Sequence, residues 1–175
     1  MTRISFEIPE LYTDRLILRE PRLEDLPHVA AFFQTERSHF VGGPHTENGS
    51  WRSISNALGH WYLNGYGMWA VHHKADDRAI GSVGFLNMPG WHEPELAWHL
   101  YAGYEGAGYA YEAAKAARAL GAAKLGVDGA ISYIAPNNPR SRALAERLGA
   151  AFERDAQIMG TPVHIYRHPK LQEAV

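Results

Sequence analysis

Apolar and polar residues alternate with a period of two over several short stretches of the chain and recur with a helical period over others. Leu16 to Leu18, Met68 to His72, Ile80 to Leu86, Glu95 to Tyr101, Ile131 to Ile134, Ala151 to Ile158 and Val163 to Arg167 read as strands. Leu23 to Gln34, Trp51 to Leu63, Gly108 to Ala123 and Ser141 to Leu148 read as helices. Glu24 and Asp25 fall in the first turn of the first helix, where its dipole favours acids. Asp76-Asp77 joins two strands as a hairpin, and Ser38 to Ser50, rich in Gly, Pro, His and Asn, reads as a loop. This order predicts an α/β (α+β) fold: a mixed, mostly antiparallel sheet of about seven strands flanked by helices. No repeat, low-complexity tract or linker divides residues 1–175, so a single domain is expected.

Glu105-Gly106-Ala107-Gly108-Tyr109-Ala110 stands between the strand that begins at Glu95 and an alanine-rich helical run from Tyr111 to Ala123. Glycine lets a backbone approach a ligand closely, and the helix that follows presents unpaired N–H groups. A strand, a glycine-rich turn and a helix in that order make an anion cradle suited to a diphosphate. A dinucleotide finger needs a third glycine, where this chain has Tyr111. Asp128 lies before the next apolar run instead of at its end, the wrong side for a ribose. No Gly-Lys-Ser/Thr occurs, which excludes a Walker loop.

Downstream, Pro136-x-Asn138-x-x-Ser141 leads into Glu146-Arg147-Leu148-Gly149. Together with Glu105, Gly108 and Ala110, this pattern resembles the GNAT N-acetyltransferase superfamily. Thr13-Asp14-Arg15-Leu16-Ile17-Leu18-Arg19 resembles its branch of ribosomal-protein N-terminal (alanine/serine) acetyltransferases. The resemblance spans residues 11 to about 155. It implies acetyl-CoA as co-substrate, and parallel strands at Glu95 to Tyr101 and Ile131 to Ile134 that splay apart. Backbone groups near Trp98, Leu100 and Ala102 would hold the pantetheine arm, because a gap between strands leaves ladder groups for a ligand amide to satisfy. Glu105, Gly106, Ala107, Gly108, Tyr109 and Ala110 would hold the diphosphate, Asn138 another part of CoA. Two positions depart from the family. Glu105 stands where Gln or Arg is usual, and Ala107 where Lys or Arg is usual, so the cradle would rely on backbone N–H groups more than on side-chain cations.

The implied chemistry is transfer of an acetyl group to a primary amine, on a protein N-terminus or a small molecule, by direct attack on the thioester. Deprotonating a lysine-like amine at pH 7 costs about 4.6 kcal/mol, and an α-amine about 1 kcal/mol, from reference pKa values of about 10.4 and 7.8. Glu95, at the start of the cleft strand, is the leading base, and the family pattern puts Ser141 near the departing sulfur. Each also has a plain reading: Glu95 as a solvated edge acid, Ser141 as a helix N-cap, Asn138 as a turn residue before Pro139. Large aromatics such as Trp51, Trp61, Tyr62, Trp69 and Trp98 read as core. Trp91, beside Gly90, reads as a wall of the acceptor pocket. Glu47, Glu93 and Glu95 hint at a cationic acceptor, and the loops Ser38 to Ser50 and Asn87 to Glu93 are where its pocket would be built.

Composition narrows the alternatives. Of 175 residues, 17 are basic and 19 acidic, for a formal charge of -2, and no basic run marks a nucleic-acid surface. The chain has no cysteine, which removes disulfides and a thiol nucleophile. The first residues hold Glu7, Glu10, Asp14 and Arg15 with no signal-peptide core, and no apolar run reaches a membrane-spanning length, so a cytoplasmic place is expected. The ten histidines raise the question of a metal, particularly His92, Glu93, Glu95 and His99, or His164 with His168, but an i, i+4 pair needs a helix to converge and Val163 to Tyr166 reads as strand, so none is expected. A monomer or homodimer fits equally. A non-catalytic acyl-CoA sensor and a nucleotide or dinucleotide enzyme are the competing readings.

Overall fold

The computed structural model describes residues 5–171. Eight strands form one sheet: β1 (Leu11–Tyr12), β2 (Leu16–Arg19), β3 (Met68–His73), β4 (Arg78–Leu86), β5 (Glu95–Leu100), β6 (Ile131–Ile134), β7 (Ala151–Ile158) and β8 (Thr161–Arg167). They lie in the order β1-β2-β3-β4-β5-β6-β8-β7. Every neighbouring pair is antiparallel except β5 and β6, which run parallel. The strand that the sequence did not predict, β1, is only two residues long, too short to show an alternation.

Alternating side chains separate two cores. Trp69, Val71, Val83, Phe85 and Leu96 point to one face of the sheet, beneath α3 (Tyr109–Leu120). On that helix Ala113, Ala114 and Ala117 are fully buried, which accounts for the alanine-rich run: methyl groups let the helix sit close to the strands. The other face, with Ala70, Ala79 and Tyr101, carries Val29, Phe32 and Phe33 of α1 (Leu26–Phe33) and Ile54 of α2 (Glu47–Asn64). The fourth helix, α4 (Pro139–Arg147), follows β6 directly.

Three expectations about elements change. The first helix is split: a 3-10 turn at Leu23–Asp25 precedes α1, with Pro27 in the first turn of α1, where its missing N–H costs nothing. Asp25 is not merely a first-turn acid, because its carboxylate takes two hydrogen bonds from Arg19, at 2.9 and 2.7 Å, in a buried pair. The expected loop is partly helical. Glu36–Val41 forms a 3-10 segment, and α2 starts at Glu47 because the Thr46 hydroxyl caps it by accepting from Gly49 N–H. Among the aromatics, Trp61 and Trp69 are core and pack edge to face, whereas Trp51 and Tyr62 are exposed on the outer side of α2.

Candidate active site

The parallel pair β5–β6 is registered at one position only, Glu95 opposite Ile131. Just beyond it the Ser132 hydroxyl, instead of a backbone N–H, donates to Leu96 C=O at 2.6 Å, and it is itself within 2.9 Å of His168 Nε2. From there the strands separate. Tyr101 N–H is bonded to Ile80 C=O across the β4 ladder. Alternate residues of a strand point their backbone groups to opposite neighbours, so those of Trp98 and Leu100 face the gap. Burial agrees: Ala97, Trp98, His99 and Leu100 all keep exposed surface although β5 is an interior strand. The Trp98 side chain itself packs with Ile134, Ala145 and Tyr166, below α4.

The gap leads to the glycine-rich turn. Gly106 and Gly108 have φ of 80° and 84°, left-handed values that favour glycine. The first α3 bond runs from Glu112 N–H to Gly108 C=O, which leaves the N–H groups of Tyr109, Ala110 and Tyr111 outside the helical ladder. Ala102, Gly106 and Ala107 are exposed.

The turn is held in place by a segment nearly a hundred residues away. Arg15 Nη1 donates to Ala107 C=O at 2.9 Å, Arg15 Nε donates to Glu112 at 2.7 Å, and the guanidinium lies 4.3 Å from the centre of the Tyr109 ring. Thr13 Oγ1 and Arg15 N–H both donate to Glu112 Oε1, at 2.6 and 2.9 Å. The sequence motif around Arg15 thus fastens β1–β2 to the start of α3. Sequence reasoning assigned no role to Arg15, and only the recurrence of its motif marked it.

At the other end of the gap stands Glu95. Its carboxylate accepts from the Trp91 indole N–H at 2.8 Å and from the Tyr133 backbone N–H. Burial pushes its pKa up to about 7, against the downward pull of those two donors. Glu95 is not the solvated edge acid of the plain reading, although the residue as a whole is only partly buried. His99 lies four residues along the same strand face, stacked on Phe32 with ring centres 4.9 Å apart. Burial lowers its pKa to about 4, so it is neutral at pH 7. Trp91 stands against both Glu95 and, at 6.4 Å edge to face, Tyr133.

Ser141 and Asn138 divide their parts differently from the sequence reading. Asn138 is the cap of α4: its Oδ1 accepts from Ser141 N–H at 3.1 Å. Ser141 is therefore not the N-cap, and its half-buried hydroxyl makes no hydrogen bond to another described residue. The capping role takes up Asn138 Oδ1 and leaves its amide nitrogen for a ligand. Glu93 also changes. It is bound to the Arg167 guanidinium at 2.6 and 2.7 Å, which holds its pKa below the usual range, so it adds no free acid to the acceptor side. Among the described residues no cluster of three His, Cys, Asp or Glu side chains is arranged for a metal ion, and no helix is long and apolar enough to cross a membrane.

A parallel pair that splays beside a glycine-rich turn into a helix is a site for a long ligand ending in a diphosphate, and comparison with known proteins gives the family. The acetyltransferase (GNAT) domain profile matches residues 15–151. The chain belongs to the GNAT acetyltransferases. Such enzymes transfer an acetyl group from acetyl-CoA, and the open ladder groups and cradle fit that co-substrate. An acetyltransferase from Agrobacterium tumefaciens str. C58 is 34% identical, with a TM-score of 0.86 over 97% of this chain and 99% of its own. The ribosomal-protein-S5-alanine acetyltransferase from Vibrio fischeri is 18% identical (TM-score 0.71, 91% and 95% covered). The microcin C7 self-immunity acetyltransferase MccE, solved with acetyl-CoA and AMP, is 16% identical (TM-score 0.72, 90% and 93% covered). The latter two share the fold. No curated protein sequence matches the chain significantly.

Proposed function

We propose that residues 1–175 act as one N-acetyltransferase domain whose acceptor is a primary amine, on a protein N-terminus or a small molecule, that attacks the thioester directly. The observation that carries this reading is the place of the Glu95 carboxylate, held by the Trp91 indole N–H where β5 and β6 part, with burial pushing its pKa up to about 7. A base works best with a pKa near the working pH, and an α-amine near 7.8 is matched to it. Acetyl-CoA supplies the acetyl group as an activated thioester. Backbone groups of Trp98 and Leu100, with Ala102 beyond them, bind the pantetheine amides. The Glu105 to Ala110 turn takes the diphosphate, and the Asn138 amide nitrogen takes a further polar group of CoA.

Glu95 takes a proton from the acceptor ammonium, directly or through one water; the neutral amine attacks the thioester carbonyl, and the proton it gives up as the C–S bond breaks passes to the departing thiolate. Negative charge then builds on the thioester oxygen and passes to the sulfur. Ser141, whose hydroxyl is uncommitted, donates a hydrogen bond to that sulfur; a serine is too weak an acid to give up its proton fully, so the gain is charge stabilisation. The aromatic pair Phe32 and Phe33, stacked on His99 and His45 respectively, closes the acceptor face and limits water near the amine. The protein is proposed to work in the cytoplasm as a monomer or homodimer, without metal or nucleic acid. A thermal-shift panel tests the cofactor: acetyl-CoA and CoA should raise the melting temperature, and ATP and NAD should not. Protection by ATP or NAD alone would replace this reading with a nucleotide enzyme.

A further inference from the structure

The glycine-rich turn carries an acid, Glu105, beside the place where an anionic ligand is to bind, and Glu105 to Ala110 includes no cationic side chain. The carboxylate is not idle. Glu105 Oε2 accepts from Gly103 N–H at 3.1 Å, and Oε1 is ion-paired with the Arg37 guanidinium. One backbone N–H from the segment just before the turn and one guanidinium therefore converge on a carboxylate, and that donor set suits a phosphate oxygen equally well.

Arg37 comes from the 3-10 segment Glu36–Val41 that follows α1, on the opposite side of the sheet from α3. It lines a cavity of about 130 Å³ together with His28, Arg78, Tyr101 and Ala102. Ala102 lies between β5 and the turn, so this cation-bearing cavity borders the cofactor path. Both side chains are partly exposed, that of Arg37 by 41% and that of Glu105 by 29%. By contrast, the Arg15 guanidinium is committed, bonded to Glu112 and to Ala107 C=O.

We propose that Glu105 is an internal stand-in for a phosphate oxygen, displaced from Arg37 and Gly103 N–H by the diphosphate of acetyl-CoA, and that Arg37 is thereby the side-chain cation of the cofactor site. The proposal rests on the reading of this turn as the acetyl-CoA cradle. It supplies from a distant segment a cation that the turn's own residues lack. It also makes binding an exchange of one anion for another, so Arg37 and Gly103 N–H stay satisfied in both states.

Calorimetry with CoA, dephospho-CoA and pantetheine tests it. Arg37→Ala should weaken CoA and dephospho-CoA alike, by about tenfold, and leave pantetheine unchanged. Glu105→Gln, which keeps the shape but weakens the competitor, should tighten CoA by about threefold or more. Arg37→Ala in the Glu105→Gln background should still cost about tenfold, and Arg37→Lys should recover part of the loss. A penalty that vanishes in the Glu105→Gln background would overturn the proposal, because Arg37 would then only neutralise Glu105. So would a penalty seen with CoA and not with dephospho-CoA, which would move Arg37 to the 3′-phosphate, or weaker CoA binding by Glu105→Gln. Failure of the wild type to bind any of the three would instead remove the acetyl-CoA reading beneath it.

Discussion

The Trp91 indole N–H is one of two donors that hold the Glu95 carboxylate ionised against its burial, which makes Trp91→Phe a direct perturbation of the proposed base. An aromatic ring is kept, smaller than the indole, and the donor is lost. A hydrogen bond to a charged group contributes about 1.5–3 kcal/mol, and about 1.4 kcal/mol corresponds to one pH unit, so the Glu95 pKa should rise from about 7 by a further one to two units. The assay is the pH dependence of kcat/KM with a low-pKa amine, whose own titration falls below that of Glu95. In the wild type the acid limb should have unit slope and a midpoint near 7; in Trp91→Phe it should move alkaline by that amount while reaching a similar plateau. Glu95→Gln should remove the limb and lower turnover by about 100-fold or more, with acetyl-CoA affinity nearly unchanged.

Stability gives an independent reading of the same group. A carboxyl raised from 4.5 to about 7 stabilises the fold fully below 4.5, and that contribution is lost as pH rises through 7, by at most about 3 kcal/mol. Wild-type stability relative to Glu95→Gln should therefore fall between pH 4.5 and 7. An acid limb that stays at the same pH in both Trp91→Phe and Glu95→Gln would refute the assignment of Glu95 as base.

Substitutions at three further positions probe the rest of the site. Gly108→Val should raise the acetyl-CoA Kd by about tenfold or more; an added Cβ would meet only Arg15 Nη2 at 3.6 Å, so the cost comes from the left-handed backbone and the hindered ligand approach, and calorimetry on the folded variant measures it. Ser141→Ala should leave the melting temperature within the effect of about 0.5 kcal/mol, since Asn138 holds the cap, and should cut single-turnover rates about tenfold to 100-fold; full activity would reduce Ser141 to a bystander. Arg15→Ala frees Ala107 C=O and Glu112 and should weaken acetyl-CoA by about tenfold without changing the acceptor KM, whereas Arg15→Lys should recover little because lysine lacks the fork; equal Kd values for all three proteins would separate the Arg15 contacts from cofactor binding.

Much of the architecture was legible in the sequence because the two periodicities were clean: seven of the eight strands lie within a residue or two of their expected bounds. The errors have two causes: some residues take their roles from partners distant in sequence, and helix caps depend on which nearby side chain turns back to the backbone. Glu93 looked like a free acid until Arg167, from β8, was brought beside it. Ser141 looked like a cap because it precedes helical residues, but Asn138, three residues earlier, has the reach to accept its N–H. The α2 start was missed because Glu47, Asn48 and Gly49 are ordinary loop residues, and only the Thr46 cap reveals a helix there. Glu95 could be proposed from its place at the head of a strand. Its tuning could not, because Trp91 and Tyr133 become its neighbours only through the fold.

The most direct test of the account is a single-turnover experiment with acetyl-labelled acetyl-CoA and a panel of N-terminal peptides and small amines, following both the label and free thiol. Direct attack from a ternary complex predicts that CoA is released only when an amine acceptor is present and that the label appears as amide on that acceptor, with none attached to the protein. Label retained covalently on the protein without acceptor, or tight acetyl-CoA binding with no transfer to any amine, would contradict it.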